Sequence, residues 1–170
     1  MSQSPQTSLP AAPASPVSRG EQLIRGEITP AQYLGISQQR LYEIATLGHR
    51  LLSRGQLQAA MDIFKGLVAA SPYDSVFHCH LAATYVQAER FPEAVEEYTL
   101  SLQFNVANVE ALVGRGQVLL RQGKVAEAQQ DIQRALRLEP EARRQSTQRA
   151  LAAFAALGTQ GRAAEASISR

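Results

Sequence analysis

A chain of 170 residues and 18.5 kDa has room for one domain with or without tails, and 45% hydrophobic residues suffice for a core. Seventeen basic and fifteen acidic residues leave a formal charge of +2, too balanced to mark a nucleic-acid or membrane-surface protein. The single cysteine, Cys79, excludes an internal disulfide and any multi-cysteine zinc or iron–sulfur site. The basic residues are 15 Arg and 2 Lys, beside 27 Ala, a bias that points to a GC-rich bacterial genome. No basic start leads into an apolar run, and no stretch approaches about 18 uninterrupted apolar residues, so the expectation is a soluble cytoplasmic protein.

Residues 1–18 contain no Asp, Glu, Lys or Arg and hold Pro5, Pro10, Pro13 and Pro16. Such a segment buries too little apolar surface to offset its ordering entropy, which predicts a disordered tail. Residues 19–40 read as an N-terminal helical extension. Gly20 to Gly26 and Thr29-Pro30 to Gly35 read as one or two short helices, with Thr29-Pro30, a capping residue followed by a first-turn proline, as a helix start. Leu23, Ile24, Tyr33 and Leu34 give these helices apolar faces that suit self-association as a homodimer.

From residue 41 the chain repeats itself. Ala60, Ala94 and Ala128 stand 34 apart, and at the same offset Gly48, Ala82 and Gly116 align, as do Phe64, Tyr98 and Ile132. Leu51, Tyr85 and Leu119 follow the same register, and so do Gly55 with Gly123 and Pro72 with Pro140. The repeats are 41–74, 75–108 and 109–142. Ile44, Leu47 and Leu51 share one face of a helix, and Ala60, Phe64 and Leu67 one face of a second, so each repeat is a helical hairpin. Small residues let the two backbones approach, and the large residues at 64, 98 and 132 fill the adjoining space. Gly55 and Gly123 suit a left-handed helix end, while Asp74, Asn108 and Pro92 are start signals. Arg115 stands where the first two repeats have Leu, which predicts looser packing of the first helix of repeat three. Residues 143–157 form an amphipathic capping helix with Leu151, Phe154 and Leu157 inward, and 158–170 a flexible tail.

Catalytic chemistry finds little footing. His78, Cys79 and His80 are consecutive, but on a helix neighbours two apart point about 200° from one another and do not converge on a metal. Cys79 lacks a partner for nucleophilic catalysis and reads as a buried thiol. Glu93, Glu96 and Glu97 read as a solvated acidic face, and Gly114-Arg115-Gly116 lies mid-helix without the strand a dinucleotide site needs. The expectation is a non-enzyme without cofactor or metal.

The 34-residue pattern, with small and aromatic residues in register three times without insertion, resembles the tetratricopeptide repeat. That resemblance implies an all-α, right-handed superhelical solenoid of three hairpins with N-terminal helices and a C-terminal capping helix. It also implies a peptide-binding groove lined by positions 2, 5, 9, 12 and 13 of each repeat. These are Tyr42, Ala45, His49, Leu52 and Ser53; then Val76, Cys79, Ala83, Val86 and Gln87; then Glu110, Val113, Gln117, Leu120 and Arg121. The stripe is mostly apolar or small, which suits an extended apolar peptide. Members of the family that clamp the C-terminal carboxylates of heat-shock chaperones use Lys, Asn and Arg where this chain has Ala45, His49, His80, Glu110 and Gly114, so that ligand is disfavoured.

Leu41-Tyr42-x-x-Ala45, Gly55-x-x-x-Ala59-Ala60-x-x-x-Phe64-x-x-Leu67, Pro72-Tyr73-Asp74-Ser75-x-Phe77 and Phe91-x-Glu93-Ala94-x-x-x-Tyr98 resemble the class II chaperones of bacterial type III secretion. The segment Thr29-Pro30 to Ser37 extends the likeness. The resemblance implies a chaperone that masks an extended apolar segment of a translocator protein. The alternative is a scaffold or adaptor joining proteins of a signalling or motility complex. Neither nucleic acid nor membrane is expected as a partner.

Overall fold

The computed structural model describes residues 17–141, 143–145 and 147–155, and every regular element among them is helical. Two short N-terminal helices, α1 (Arg19–Ile24) and α2 (Pro30–Tyr33), precede α3 (Gln38–Ser53) and α4 (Leu57–Ala70). Next come α5 (Ser75–Gln87) with α6 (Phe91–Phe104) and α7 (Val109–Arg121) with α8 (Val125–Leu138). A last helical segment, α9, covers 147–155. Each of the pairs α3–α4, α5–α6 and α7–α8 packs as a hairpin, and α4–α5 and α6–α7 contacts stack the hairpins into a solenoid.

Local chemistry sets the boundaries. Ser18 and Thr29 each close a capping box on the short helices, with Glu21 and Gln32 as the reciprocal partners. Ser18 therefore belongs to the first helix rather than to a tail, and residues 1–16 and 156–170, with Leu157, lie outside the described residues. Ser37, Asp74 and Asn108 cap α3, α5 and α7 by accepting from backbone N–H groups. All three first helices end alike: Gln56 N–H donates to Leu51 O, Arg90 N–H to Tyr85 O and Lys124 N–H to Leu119 O, at 2.9–3.0 Å. This six-to-one closure needs a left-handed residue just before the donor. Gly55 (φ 72°) and Gly123 (φ 75°) supply it in repeats one and three, and Glu89 (φ 57°) in repeat two.

Ala60, Ala82, Ala94 and Ala128 have no exposed surface, and Phe64, Tyr98 and Ile132 are buried beside them. A Cβ on Gly48 would lie 2.8 Å from the Phe64 ring, so the small residue is required there. The tightest approach is one the repeat alignment does not reveal. A Cβ on Gly114 would fall inside contact distance of the Tyr98 ring, so this mid-helix glycine opens the space for that ring.

Two packing expectations are corrected. On α3 the buried stripe is Leu41, Ala45 and Gly48, leaving Ile44 and Leu51 half-buried and Leu47 41% exposed. As the outermost first helix, α3 has no preceding hairpin against the Leu47 side, whereas the equivalent Leu81 of α5 is buried. Nor does Arg115 loosen repeat three. Eight of the 13 residues of α7 are buried, because the guanidinium makes two bonds to Asp131 (2.7 and 2.8 Å) and one to Thr99 (3.1 Å). A bidentate ion pair takes the place of the buried apolar side chain that repeat two has in Leu81.

Polar links tie successive hairpins. Asn108 donates from Nδ2 to Ser75 Oγ (2.9 Å) and Ser101 Oγ (3.1 Å), and Ser101 Oγ donates to Ser75 O (2.8 Å). The start of α5, the last turn of α6 and the cap of α7 thereby share one network. At the C-terminal end, Glu139 accepts from Thr147 Oγ1 (2.7 Å) and the Arg144 backbone (3.1 Å). Thr147 and Ala150 are buried, and Phe154 packs on the core, so α9 covers the end of the stack.

Candidate functional site: the first-helix face

The first helices adjoin across the stack. Tyr42 of α3 meets Phe77 of α5 at 5.3 Å between ring centroids, His49 meets His80 at 4.3 Å, and α5 touches α7 directly. Side chains at one repeat position therefore recur along a continuous surface.

The fifteen residues expected to line that surface divide by depth. Ala45, Cys79 and Val113, all at position 5, are buried at 3%, 7% and 1% exposure. They form the floor and leave no side chain free for a ligand, because position 5 is packed into the core. Leu52, Val76, Ala83, Val86 and Leu120 are half-buried, apolar or small, and form the wall. Gln117 is half-buried among them, and Ser53, Gln87 and Arg121 are exposed at the rim. Tyr42 and Glu110 are exposed at the position 2 end. There the Tyr42 hydroxyl donates to Asp74 (3.4 Å), and Glu110 lies 3.7 Å from Arg144.

The histidines have different fates. His49 is exposed, and its ring packs edge-on against Phe64 and His80. Burial lowers the pKa of both, and pushes His80 down to about 4, where the neighbouring His49 also disfavours a second positive charge and Asp74 opposes in part. His78 points elsewhere. It is buried, with Nε2 2.9 Å from Pro72 O and Nδ1 2.7 Å from Glu97. Burial alone would lower its pKa, but the bonds to Glu97 and Pro72, with the charges of Glu97 and Asp74, outweigh it and raise the pKa above 6.5. Glu97 is thus a half-buried partner of His78, not part of a solvated face, whereas Glu93 pairs with Arg90 at 2.6 Å. Burial, then Glu110, pushes the Cys79 thiol up to about 12, so no thiolate forms near neutrality. Among the described residues no three His, Cys, Asp or Glu side chains come together as a metal site.

The five-position stripe leaves out three contributors. His80, at position 6, reaches the face through its contacts with His49 and Phe64. Arg149 and Ala153 of α9 join Gln117, Leu120 and Arg121 around a cleft of about 340 Å³. The capping helix is legible in the sequence, but the direction in which it lies across α7 is not.

Residues 109–142 match the tetratricopeptide repeat family, and the architecture is that of a tetratricopeptide-repeat solenoid. Within that class the chain is similar in fold to translocator chaperones. The Yersinia enterocolitica type III secretion translocator chaperone SycD superposes with a TM-score of 0.69 at 23% identity, covering 76% of this chain and 98% of that one. SycD in complex with a peptide of the translocator YopD gives 0.66 at 22% identity, over 74% and 98%. A type III secretion complex from Aeromonas hydrophila gives 0.72 at 20% identity, over 83% and 95%. In sequence, 94 residues are 30% identical to the human DnaJ homolog subfamily C member 3, over 55% of this chain. The chain spans 19% of that relative's length. No helix among the described residues is long and apolar enough to cross a membrane.

Proposed function

We propose that this chain is a non-enzymatic protein-binding module that holds an extended apolar segment of its client on the first-helix face, as a chaperone for a type III secretion translocator in the bacterial cytoplasm. The observation that carries the reading is the unbroken wall of Leu52, Val76, Ala83, Val86 and Leu120, half-buried on three successive hairpins and bounded by a polar rim. Folding alone needs no such surface to stay open, whereas a client's alternate side chains fit recesses at the repeat spacing, and Ser53, Gln87 and Gln117 bond its backbone. The fold likeness to SycD, whose structure includes a translocator peptide, supports the same reading. Exposed Ile24 (87%), Leu34 (69%) and Tyr33 (44%) support self-association through the N-terminal helices, and sedimentation that finds only monomer at high concentration removes that part.

The test places a charge in the wall. Ala83→Glu sets a carboxylate against apolar ligand and should cost several kcal/mol of client binding, roughly the price of an unpaired buried charge. The exposed Glu96→Ala should cost little. The client to try first is a large secreted protein with hydrophobic stretches encoded beside this chain. A folded Ala83→Glu variant that binds as tightly as wild type transfers the function to another face, as the scaffold alternative requires.

A further inference from the structure

At the third-hairpin end the first-helix face changes from apolar to basic. Gln117, Leu120 and Arg121 occupy one stripe of α7, and Arg149 and Ala153 one stripe of α9, on the two sides of the 340 Å³ cleft. Its size is at the lower end of ligand pockets, roughly 300–1,000 Å³. Among the described residues neither Arg121 nor Arg149 has an ion pair, although Arg143 and Arg144 beside them pair with Glu141, Glu110 and Glu139. The Arg121 guanidinium stands 5.6 Å from the centroid of the Phe91 ring of α6, within cation–π range.

Arg121 and Arg149 both line this one small cleft, which gathers positive charge there and favours an anion. A carboxylate there would collect several charge-assisted hydrogen bonds, with the Gln117 amide as a further donor. The corresponding pairs of the other hairpins are Leu52 with Ser53 and Val86 with Gln87, so the positive charge is confined to this end.

We propose that Arg121, Arg149 and Gln117 form a carboxylate-binding subsite that takes an aspartate or glutamate side chain of the extended peptide whose apolar residues lie along Val76, Ala83 and Val86. The assignment rests on the peptide-binding reading above and adds direction to it: an acidic residue flanking an apolar stretch on one side fixes which way the segment lies. A side chain is favoured over a chain terminus because Leu120 at the cleft continues the half-buried positions Leu52 and Val86 of the preceding hairpins, so a strand lying along them passes the cleft with its side chains.

Fluorescence anisotropy of the full chain with synthetic nonapeptides tests this. The probes alternate Leu and Ser, are acetylated and amidated at their ends, and carry one Glu at each position in turn, each paired with a Gln control. Wild type should prefer Glu over Gln near one end by about tenfold, the worth of one strong charge-assisted contact, and added salt should shrink the preference. Arg121→Gln and Arg149→Gln should each reduce it, and together abolish it, while Arg50→Gln on α3 leaves it intact. Binding with no Glu preference, or a preference that survives in the folded double variant, overturns the subsite and leaves the peptide face standing. A Gln peptide with its C-terminus left unamidated serves as a further probe: if it gains affinity that the double variant loses, while the amidated Glu peptides show no preference, the side-chain assignment is overturned. Failure of every probe to bind sinks the peptide-binding reading and this subsite with it.

Discussion

Glu89 shows how a single backbone angle carries a cost that side-chain contacts do not reveal. It holds the left-handed position that Gly55 and Gly123 fill in the flanking repeats. A Cβ in that conformation costs about 1–2 kcal/mol, partly offset by the greater unfolded freedom of glycine. Glu89→Gly should therefore stabilise by about 0.5–1 kcal/mol, a rise of roughly 1–4 °C in melting midpoint for a chain of this size, readable by calorimetry. His80 sets a pH dependence at the same scale. Its folded pKa, near 4, lies below the ordinary 6.5, so its contribution is complete above pH 6.5 and is lost as pH falls toward 4. His78 has the opposite sign: its raised pKa gives stability that is full below 6.5 and lost as pH rises through the folded value. In His80→Gln the fall of melting midpoint between pH 6.5 and 4 should be shallower than in wild type. Equal slopes would show that His80 bears no part of the acid sensitivity.

At the scale of the helix, the ion pair between α7 and α8 decides how repeat three keeps its packing with a polar residue at a leucine position. Asp131 is 7% exposed at its side chain and Arg115 22%, so the pair sits between surface and core behaviour. Restoring the repeat pattern with Arg115→Leu would leave the Asp131 carboxylate buried and unpaired. Fully buried pairs lose about 3–5 kcal/mol when one partner is removed; partial exposure of Arg115 reduces the expected loss to about 2 kcal/mol. Arg115→Leu combined with Asp131→Leu should recover most of it. Chemical denaturation of the two variants checks both values, and a neutral single variant would mean that solvent or Thr99 already satisfies the carboxylate's surroundings.

For the molecule as a whole, stability is a sum of hairpins and of the interfaces between them, so the ends weigh as much as the middle. The C-terminal end is closed by α9 through Ala150, Phe154 and the Thr147–Glu139 bond. Ending the chain at Glu141 should uncover the outer side of α7 and α8, lower the melting midpoint by several degrees and increase light scattering on heating. A truncated chain that melts and scatters as the full chain does would show that α9 is not a cap.

What the sequence determined by itself is whatever repeats. The 34-residue period alone places the helix pairs, the small and large residues that bring them together, the capping residues Asp74 and Asn108, and the terminating glycines, because each of these depends on neighbours a few residues away or at a fixed offset. The tertiary structure decided what depends on approach between different segments. Core packing at position 5 withdraws Ala45, Cys79 and Val113 from the first-helix face. The missing neighbour of α3 leaves Leu47 exposed, and the bond to His78 removes Glu97 from the solvated face. The angle of α9 brings Arg149 to Arg121. Periodicity fixes which residues share a side of a helix, but only the packed stack fixes what stands opposite that side, and the chemistry of a binding surface is set by both.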